Sequence, residues 1–378
     1  MRARRVLSSW VEGGPPPPRG INLAGYFRGS LGLGESARLL ARSLAASGMP
    51  LDCVSIPLDR DSQDPGVVLT GAFRHSVTVL HVNPPNVAAF IKRFRNRPLG
   101  RRRLVGLWYW ELETLPPSWR TLSSLFDEVW VASEWSRGHL AAQVHCPIHS
   151  FPFPLEAMTA DAGGSQAPLP FPIPGGRYLF LNVFDHHSSY DRKNPEAALS
   201  AYLRGFPEDA GRAFLVLKSL NASHAPDKHA RMLRMAEGRR DILVVDADLP
   251  KPSMDALYAR ADCFLSLHRS EGLGLGFLQA LRNGKAAVLT DYAAPAEFRG
   301  LPGLHLVPFR LVPIDTDFGA YQRLGDWADP DIDAAAGILR RLVDAPRSGT
   351  AAGDPQRFTC AAFNAFVASR LDALHPVH

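Results

Sequence analysis

The chain has 378 residues, 46% of them hydrophobic and 21% charged, enough apolar content for two domains with separate cores and too much for overall disorder. No apolar stretch approaches the ~20 residues that span a bilayer, and the opening MRARRVLSSWV holds too short an apolar core for a secretory signal, so a cytoplasmic protein is expected. The formal net charge of +5 is uneven: residues 1–155 hold 18 Lys or Arg against 11 Asp or Glu, the remainder 24 against 26, and no nucleic-acid partner is expected.

Residues 1–20, with four consecutive prolines, predict a disordered lead. INLAGY (21–26) then reads as a buried strand opening a first domain over 21–155. A Gly-rich turn at Gly29, Gly32 and Gly34 leads to a helix whose Ala37, Leu40, Ala41 and Leu44 share one face and which Gly48 closes. Strand-like runs follow at 51–56, 76–82, 103–109 and 128–132, with helical spacing near 86–97, 117–126 and 134–143. The basic residues gather over 92–103, from Lys92 and Arg93 to Arg103, interleaved with Phe90, Ile91 and Phe94. That pattern fits either an anionic membrane face or a solvated helix end.

The Pro, Gly and Ala mixture over 156–176 reads as a linker, and a second domain follows over 177–330. Its strands are YLFLNVF (178–184), AFLVLK (213–218), DILVVD (241–246), CFLSLH (263–268) and AAVLT (286–290). Asn194 is expected to cap a helix opened by Pro195, Ser253 to cap another, and two helices over 331–378 to cross back to the first domain. Alternating strands and helices imply α/β architecture: two doubly wound Rossmann-like domains facing a central cleft, because such sheets bind ligands at the carboxyl ends of their strands. Cys53, Cys146, Cys263 and Cys360 form no CxxC pair and sit in or beside apolar runs, so neither a disulfide nor a zinc site is expected.

The most informative segment is SLHRSEGLGLGFLQALRNGK, residues 266–285: a strand end, a polar turn, three alternating glycines and a helix. Amides of Gly272, Leu273 and Gly274 at a helix start can converge on a phosphate. Glu271 at the mouth of that site can accept hydrogen bonds from sugar hydroxyls or face positive charge at an anomeric carbon, with His268 preceding it in the same turn. Gln279, further along the helix, can both donate to and accept from a ribose diol.

SEGLGLGFLQA resembles the E-x7-E region of family 4 glycosyltransferases, with Glu271 matching the first glutamate and Gln279 standing in place of the second. FRGSLGLGESARLLARSL, GLWYWELETLPPSW, DEVWVASEWS, SSYDRKNPEAALSAY and LHRSEGLGLG are similar to a bacterial branch of that family active in polysaccharide assembly. The resemblance implies the GT-B fold and a retaining hexosyltransferase, with mannosyl transfer among its activities. It implies a metal-independent reaction without a cofactor, moving sugar from a nucleoside diphosphate to a glycan or lipid-linked acceptor.

By the same resemblance Lys193 holds the donor diphosphate. The family's arginine position holds Ser188 here, which leaves Arg192 or Lys218 as substitutes. Gly32 and Gly34 match a Gly-rich loop under the donor phosphates, Trp110 and Glu111 fall where acceptor or donor-sugar contacts are expected, and His81 ends a strand that could face the cleft.

Other readings stay open beside this one. Gly32, Gly34 and Ala37 also satisfy G-x-G-x-x-A, with Asp52 as the ribose carboxylate of a nicotinamide dehydrogenase. Asp246-Ala-Asp248 and Asp315-Thr-Asp317 match the short DxD metal signature. Trp108 and Trp110 fit a core as well as a sugar platform, and His81, His186 and His187 fit structural roles. A GT-B protein that binds a nucleotide sugar or glycan without transfer fits the motifs too.

Overall fold

The computed structural model describes residues 16–58, 64–94, 101–158, 167–315, 321, 323–345 and 358–374. Most of the lead over 1–20, part of the linker, positions 95–100 of the basic stretch, and Asp317 lie outside them. The chain divides into two compact units, Met1–Thr159 with Pro355–His378, and Ala160–Asp354.

The first unit is built on a parallel sheet of β1 (Ile21–Gly25), β2 (Leu51–Ser55), β3 (Val77–Leu80), β4 (Arg103–Trp108), β5 (Glu128–Val131) and β6 (Ile148–Ser150), in the order β2-β1-β3-β4-β5-β6. Helices α1 (Gly32–Ala46), α2 (Val87–Arg93), α3 (Pro117–Ser123) and α4 (Glu134–Leu140) connect the strands. All five residues of β1 are buried, as a parallel strand covered on both faces requires. Its one polar member, Asn22, donates to the carbonyls of His75 and Val77 and to Thr78 Oγ1, so its burial leaves no amide hydrogen unsatisfied. The apolar face read for α1 is the buried one, and Gly48, at φ 74°, closes it with its amide on Ala45 O.

The second unit repeats the plan with β7 (Tyr178–Val183), β8 (Ala213–Ser219), β9 (Ile242–Asp246), β10 (Cys263–Ser266), β11 (Ala286–Thr290) and β12 (Leu304–Val307). These pair in the order β12-β11-β10-β7-β8-β9, every pairing parallel. Helices α5 (Tyr190–Lys193), α6 (Pro195–Gly205), α7 (Pro226–Ala236), α8 (Lys251–Arg260), α9 (Leu275–Arg282) and α10 (Ile332–Asp344) belong to this unit. So does an antiparallel hairpin, β13 (Phe309–Pro313) with β14 (Asp326–Pro330). Phe180, Leu215, Leu217, Leu265 and Val288 from the strands meet Tyr202 and Leu339 from helices in one core.

The two helices expected to cross back behave differently. Helix α10 packs on α6 within the second unit, while α11 (Cys360–Leu374) packs on α1 of the first. Arg370 of α11 places Nη2 2.5 Å from the buried Glu128 carboxylate, and Asn364 exchanges hydrogen bonds with Ser43.

Of the two expected caps, one stands at its position and the other does not. Asn194 does occupy the cap position, yet in a left-handed conformation, and its amide reaches away to Leu267 O at 3.0 Å. Ser253 lies inside α8, which Pro250 precedes, and its hydroxyl donates to Pro168 O.

Candidate active site

In the second unit the chain order reverses between neighbouring strands β7 and β10, because β8 and β9 continue on one side and β11 and β12 on the other. At such a reversal the connections leave in opposite directions and open a crevice beyond the carboxyl ends of the strands. The segment leaving β7 carries Lys193, and the segment leaving β10 carries Glu271. They meet, with Lys193 Nζ 2.5 Å from Glu271 Oε2, a contact between residues 78 apart in sequence.

The backbone that delivers Lys193 is tightly specified. Single-turn α5 is flanked by Ser189 at φ 67° and Asn194 at φ 49°, left-handed values that cost a non-glycine residue on the order of 1 kcal/mol or more each. The buried Ser189 hydroxyl accepts from Arg192 N, and Asn194 N donates to Tyr190 O. Arg192, only 3% exposed, spans the two segments: its guanidinium donates to Ser270 O and to Ser188 O, both at 2.9 Å, while its own carbonyl accepts from Arg269 N. Its nearer nitrogen is 3.8 Å from Glu271. The guanidinium suggested as a diphosphate ligand is thus committed to a strut between the loops that carry Lys193 and Glu271.

Burial alone would raise the Glu271 carboxyl, but the Lys193 ammonium and then the Arg192 guanidinium more than reverse this and hold it down at about 2. His268 is buried beside them. Desolvation lowers its imidazole to about 4, against partial opposition from Glu271, so it is neutral at pH 7. Among the described residues its Nε2 is buried without a hydrogen-bond partner, and its carbonyl accepts from Thr290 Oγ1 at 2.6 Å.

Helix α9 starts at a glycine that no other residue could replace cheaply. Gly274 sits at φ 90°, and a Cβ there would lie 2.2 Å from the Phe277 ring. A Cβ at Gly276 would lie 2.7 Å from Phe264, so this glycine lets the helix close on the sheet. Among the described residues the amides of Gly272, Leu273 and Gly274 donate to no backbone carbonyl, as a helix start poised for an anion would leave them.

Lys218, the last residue but one of β8, lies at the same sheet edge, 5% exposed and without an ion pair among the described residues. Burial lowers its pKa against the fields of Asp248, Asp185 and Asp246. Gln279 donates its amide to Asp255 Oδ1 at 3.1 Å.

The first unit has its own reversal, between β1 and β3. Gly34 lies there because a Cβ would approach Gly29 O to 2.4 Å, whereas Gly32 has open space around it. Arg38 from α1 pins the preceding loop, donating to Phe27 O and Gly29 O. His81 is fully buried, with Nε2 2.9 Å from Ser36 Oγ, which in turn lies 2.5 Å from Tyr109 OH. Desolvation lowers His81 to about 4. Glu111 is also buried.

Trp110, expected at an acceptor or donor sugar, is a core residue instead. It is 2% exposed, packs its ring 4.6 Å from that of Trp119 and donates Nε1 to Thr114 O. Trp108 is buried as well. Asp52, the ribose carboxylate of the dehydrogenase alternative, is buried and taken by the amide and guanidinium of Arg74, which removes the support for that reading. Asp246 of the first DxD accepts from Ser219 Oγ and Ala222 N and so closes a turn.

Sequence reasoning missed Ser36, Tyr109, Arg38 and Asp255. Ser36 and Tyr109 have nothing local to mark their partners, whereas Arg38 and Asp255 stand at helical spacing from Glu35 and Lys251.

Two parallel six-stranded sheets, each with a reversal of strand order and connecting helices, define the GT-B fold of glycosyltransferases. The solved structures similar to this one carry the same fold. One is Anabaena HepE with UDP and glucose, at TM-score 0.59 and 16% identity over 94% of this chain and 99% of that one. Another is sucrose-phosphate synthase from Thermosynechococcus elongatus, at TM-score 0.62 and 15% identity over 94% and 97%. A third is WaaG, a glycosyltransferase involved in lipopolysaccharide biosynthesis, at TM-score 0.57 and 12% identity over 94% and 100%. No protein-family model matches the chain, and no curated protein does. Among the described residues no helix is long and apolar enough to cross a membrane.

Proposed function

We propose that the protein is a retaining glycosyltransferase, moving a hexosyl group from a nucleoside-diphosphate sugar to a glycan or lipid-linked acceptor without a metal ion. The observation that carries this reading is the meeting of Lys193 and Glu271 beside the undonated amides of Gly272, Leu273 and Gly274 at the strand-order reversal of the second unit. A leaving diphosphate gains negative charge as the glycosidic bond breaks, and an ammonium with a helix start is what stabilises it. In this reading Lys193, Lys218 and those amides hold the diphosphate, Gln279 faces the nucleoside, and Glu271 and His268 line the transferred sugar. The UDP and glucose of the HepE structure support a nucleotide sugar as donor.

Retention would follow if the leaving phosphate itself takes the acceptor proton on the same face, which asks for no protein base. The exposed Lys92, Arg93, Arg101 and Arg103 support contact with an anionic membrane surface on the cytoplasmic side, although Arg102 among them is buried against Phe73 O.

The test is transfer or hydrolysis of UDP-, GDP- and ADP-linked hexoses, GDP-mannose included, by purified protein. Release of the nucleoside diphosphate is expected from one of them, lost in Glu271→Ala while nucleotide binding persists. Binding without release by the wild type would instead establish a non-catalytic sugar-nucleotide protein.

A further inference from the structure

Helix α8 follows β9 and helix α9 follows β10, so both begin at the carboxyl edge of the second sheet, where Lys193 and Glu271 meet. Asp255 lies in the second turn of α8 and Gln279 in the second turn of α9. They face each other: Gln279 Nε2 donates to Asp255 Oδ1 at 3.1 Å. Lys251, one turn earlier on α8, places Nζ 2.6 Å from Oδ1 and 2.8 Å from Oδ2 of the same carboxylate. The Asp255 side chain is 19% exposed and that of Lys251 37%. The carboxylate is therefore fixed from two sides and still reachable from solvent.

Its position relative to the anion site follows from helix geometry. Gln279 is four residues, one turn and about 6 Å along the axis, beyond Leu275, which directly follows the amides of 272–274. That offset is what separates the phosphate from the diol in a nucleoside diphosphate, whose C5′ and C4′ link the two. A vicinal diol offers two O–H donors, and an ionised carboxylate accepts both more strongly than a neutral amide with one acceptor oxygen. A glutamate at position 279 would set a second carboxylate against Asp255 at hydrogen-bond distance, whereas the amide donates to it. The neutral residue at 279 thus has a physical reason: the negative charge arrives from the neighbouring helix.

We propose that Asp255, held in place by Lys251 and Gln279, is the residue that accepts the ribose hydroxyls of the donor nucleotide. The proposal rests on the donor-site reading above and deepens it. Gln279 becomes a positioning residue, orienting the carboxylate rather than supplying the main contact.

Calorimetric titration tests it. The wild type is titrated with UDP, GDP and ADP, and the tightest binder is compared with its 2′-deoxy form. Loss of the 2′-hydroxyl should weaken wild-type binding about 10-fold, as for one hydrogen bond to a charged group. Asp255→Asn should weaken the ribonucleotide about 10-fold, leave the 2′-deoxy form nearly unchanged, and so bring the two within about 2-fold. Binding of the 2′-deoxy form also shows that the variant is folded. Gln279→Glu alone should weaken the ribonucleotide through like-charge repulsion, and the double variant D255N/Q279E should recover to within about 3-fold of wild type.

Retention of the full ribose preference in D255N, or a wild type indifferent to the 2′-hydroxyl, would reduce Asp255 to a tie between two helices and overturn the proposal. A wild type that binds none of the three nucleotides would overturn the donor site itself.

Discussion

Replacing Glu271 by Gln keeps the shape of the side chain and removes its charge, which isolates the ion pair with Lys193. The Glu271 carboxyl is lowered from 4.5 to about 2 in the folded protein, with the cost of burial already included. Each pKa unit corresponds to about 1.4 kcal/mol, so the ionised form is favoured by roughly 3 kcal/mol relative to the unfolded chain. The side chains of Lys193 and Glu271 are 20% and 16% exposed, so solvent screening removes little of this. Because the folded pKa is depressed, the stabilisation is complete above about pH 4.5 and disappears as pH falls towards 2. Glu271→Gln should therefore destabilise the second unit by about 3 kcal/mol at pH 7, with a deficit that shrinks through that acid window.

A single unfolding curve would mix the two units. The suitable assay is hydrogen exchange of the β10 and β11 amides, read at pH 7 and extended by denaturant titration at pH 3 with fluorescence of Trp327, a buried residue of the second unit. A deficit under 0.5 kcal/mol at pH 7, or one of equal size at pH 3, would refute the electrostatic account of the pair.

Other variants probe the remaining supports. Gly274→Ala should cost at least about 2 kcal/mol and abolish nucleotide binding, since it combines a left-handed backbone with a 2.2 Å clash on Phe277; calorimetry and thermal melting read both effects. His268, neutral in the fold with its pKa depressed to about 4, contributes stability above pH 6.5 that is lost as pH falls towards 4. A His268→Gln variant should show a flatter stability profile in that window than the wild type. Arg370→Ala leaves the buried Glu128 carboxylate with only the Trp130 indole and His149 as partners among the described residues and should cost the first unit about 3 kcal/mol, measured as faster exchange in β5; unchanged protection there would show that the pair contributes little.

What the sequence disclosed and what it withheld separate along a physical line. The alternation of strands and helices, the buried face of α1 and the turn at 272–274 were legible because each is a local pattern. Glycines at 274 and 276 mark where a side chain cannot fit, and the structure shows which rings forbid it. Long-range partners were not legible. Arg192 reads as a free cation beside Lys193, and only the fold reveals the carbonyls of Ser188 and Ser270 that take its guanidinium. Asn194 looks like a cap by residue type, but its amide serves Leu267, 73 residues away. Trp110 beside Glu111 resembles a sugar platform until Trp119 is seen against it. Strands β6 and β12 lie outside the runs read as strands, as do β13 and β14, whose pairing joins segments well apart in sequence.

The placement of α11 has a bearing on how the protein is made. The second unit is one continuous stretch, while the first is assembled from pieces on either side of it. On the ribosome, the later-numbered unit can complete its own core while its predecessor still waits for Arg370 to reach Glu128. Until that helix emerges, a carboxylate destined for the interior stays without its guanidinium. A chain released after Asp344 would hold every described strand and helix of the second unit, while its first unit would still lack Arg370.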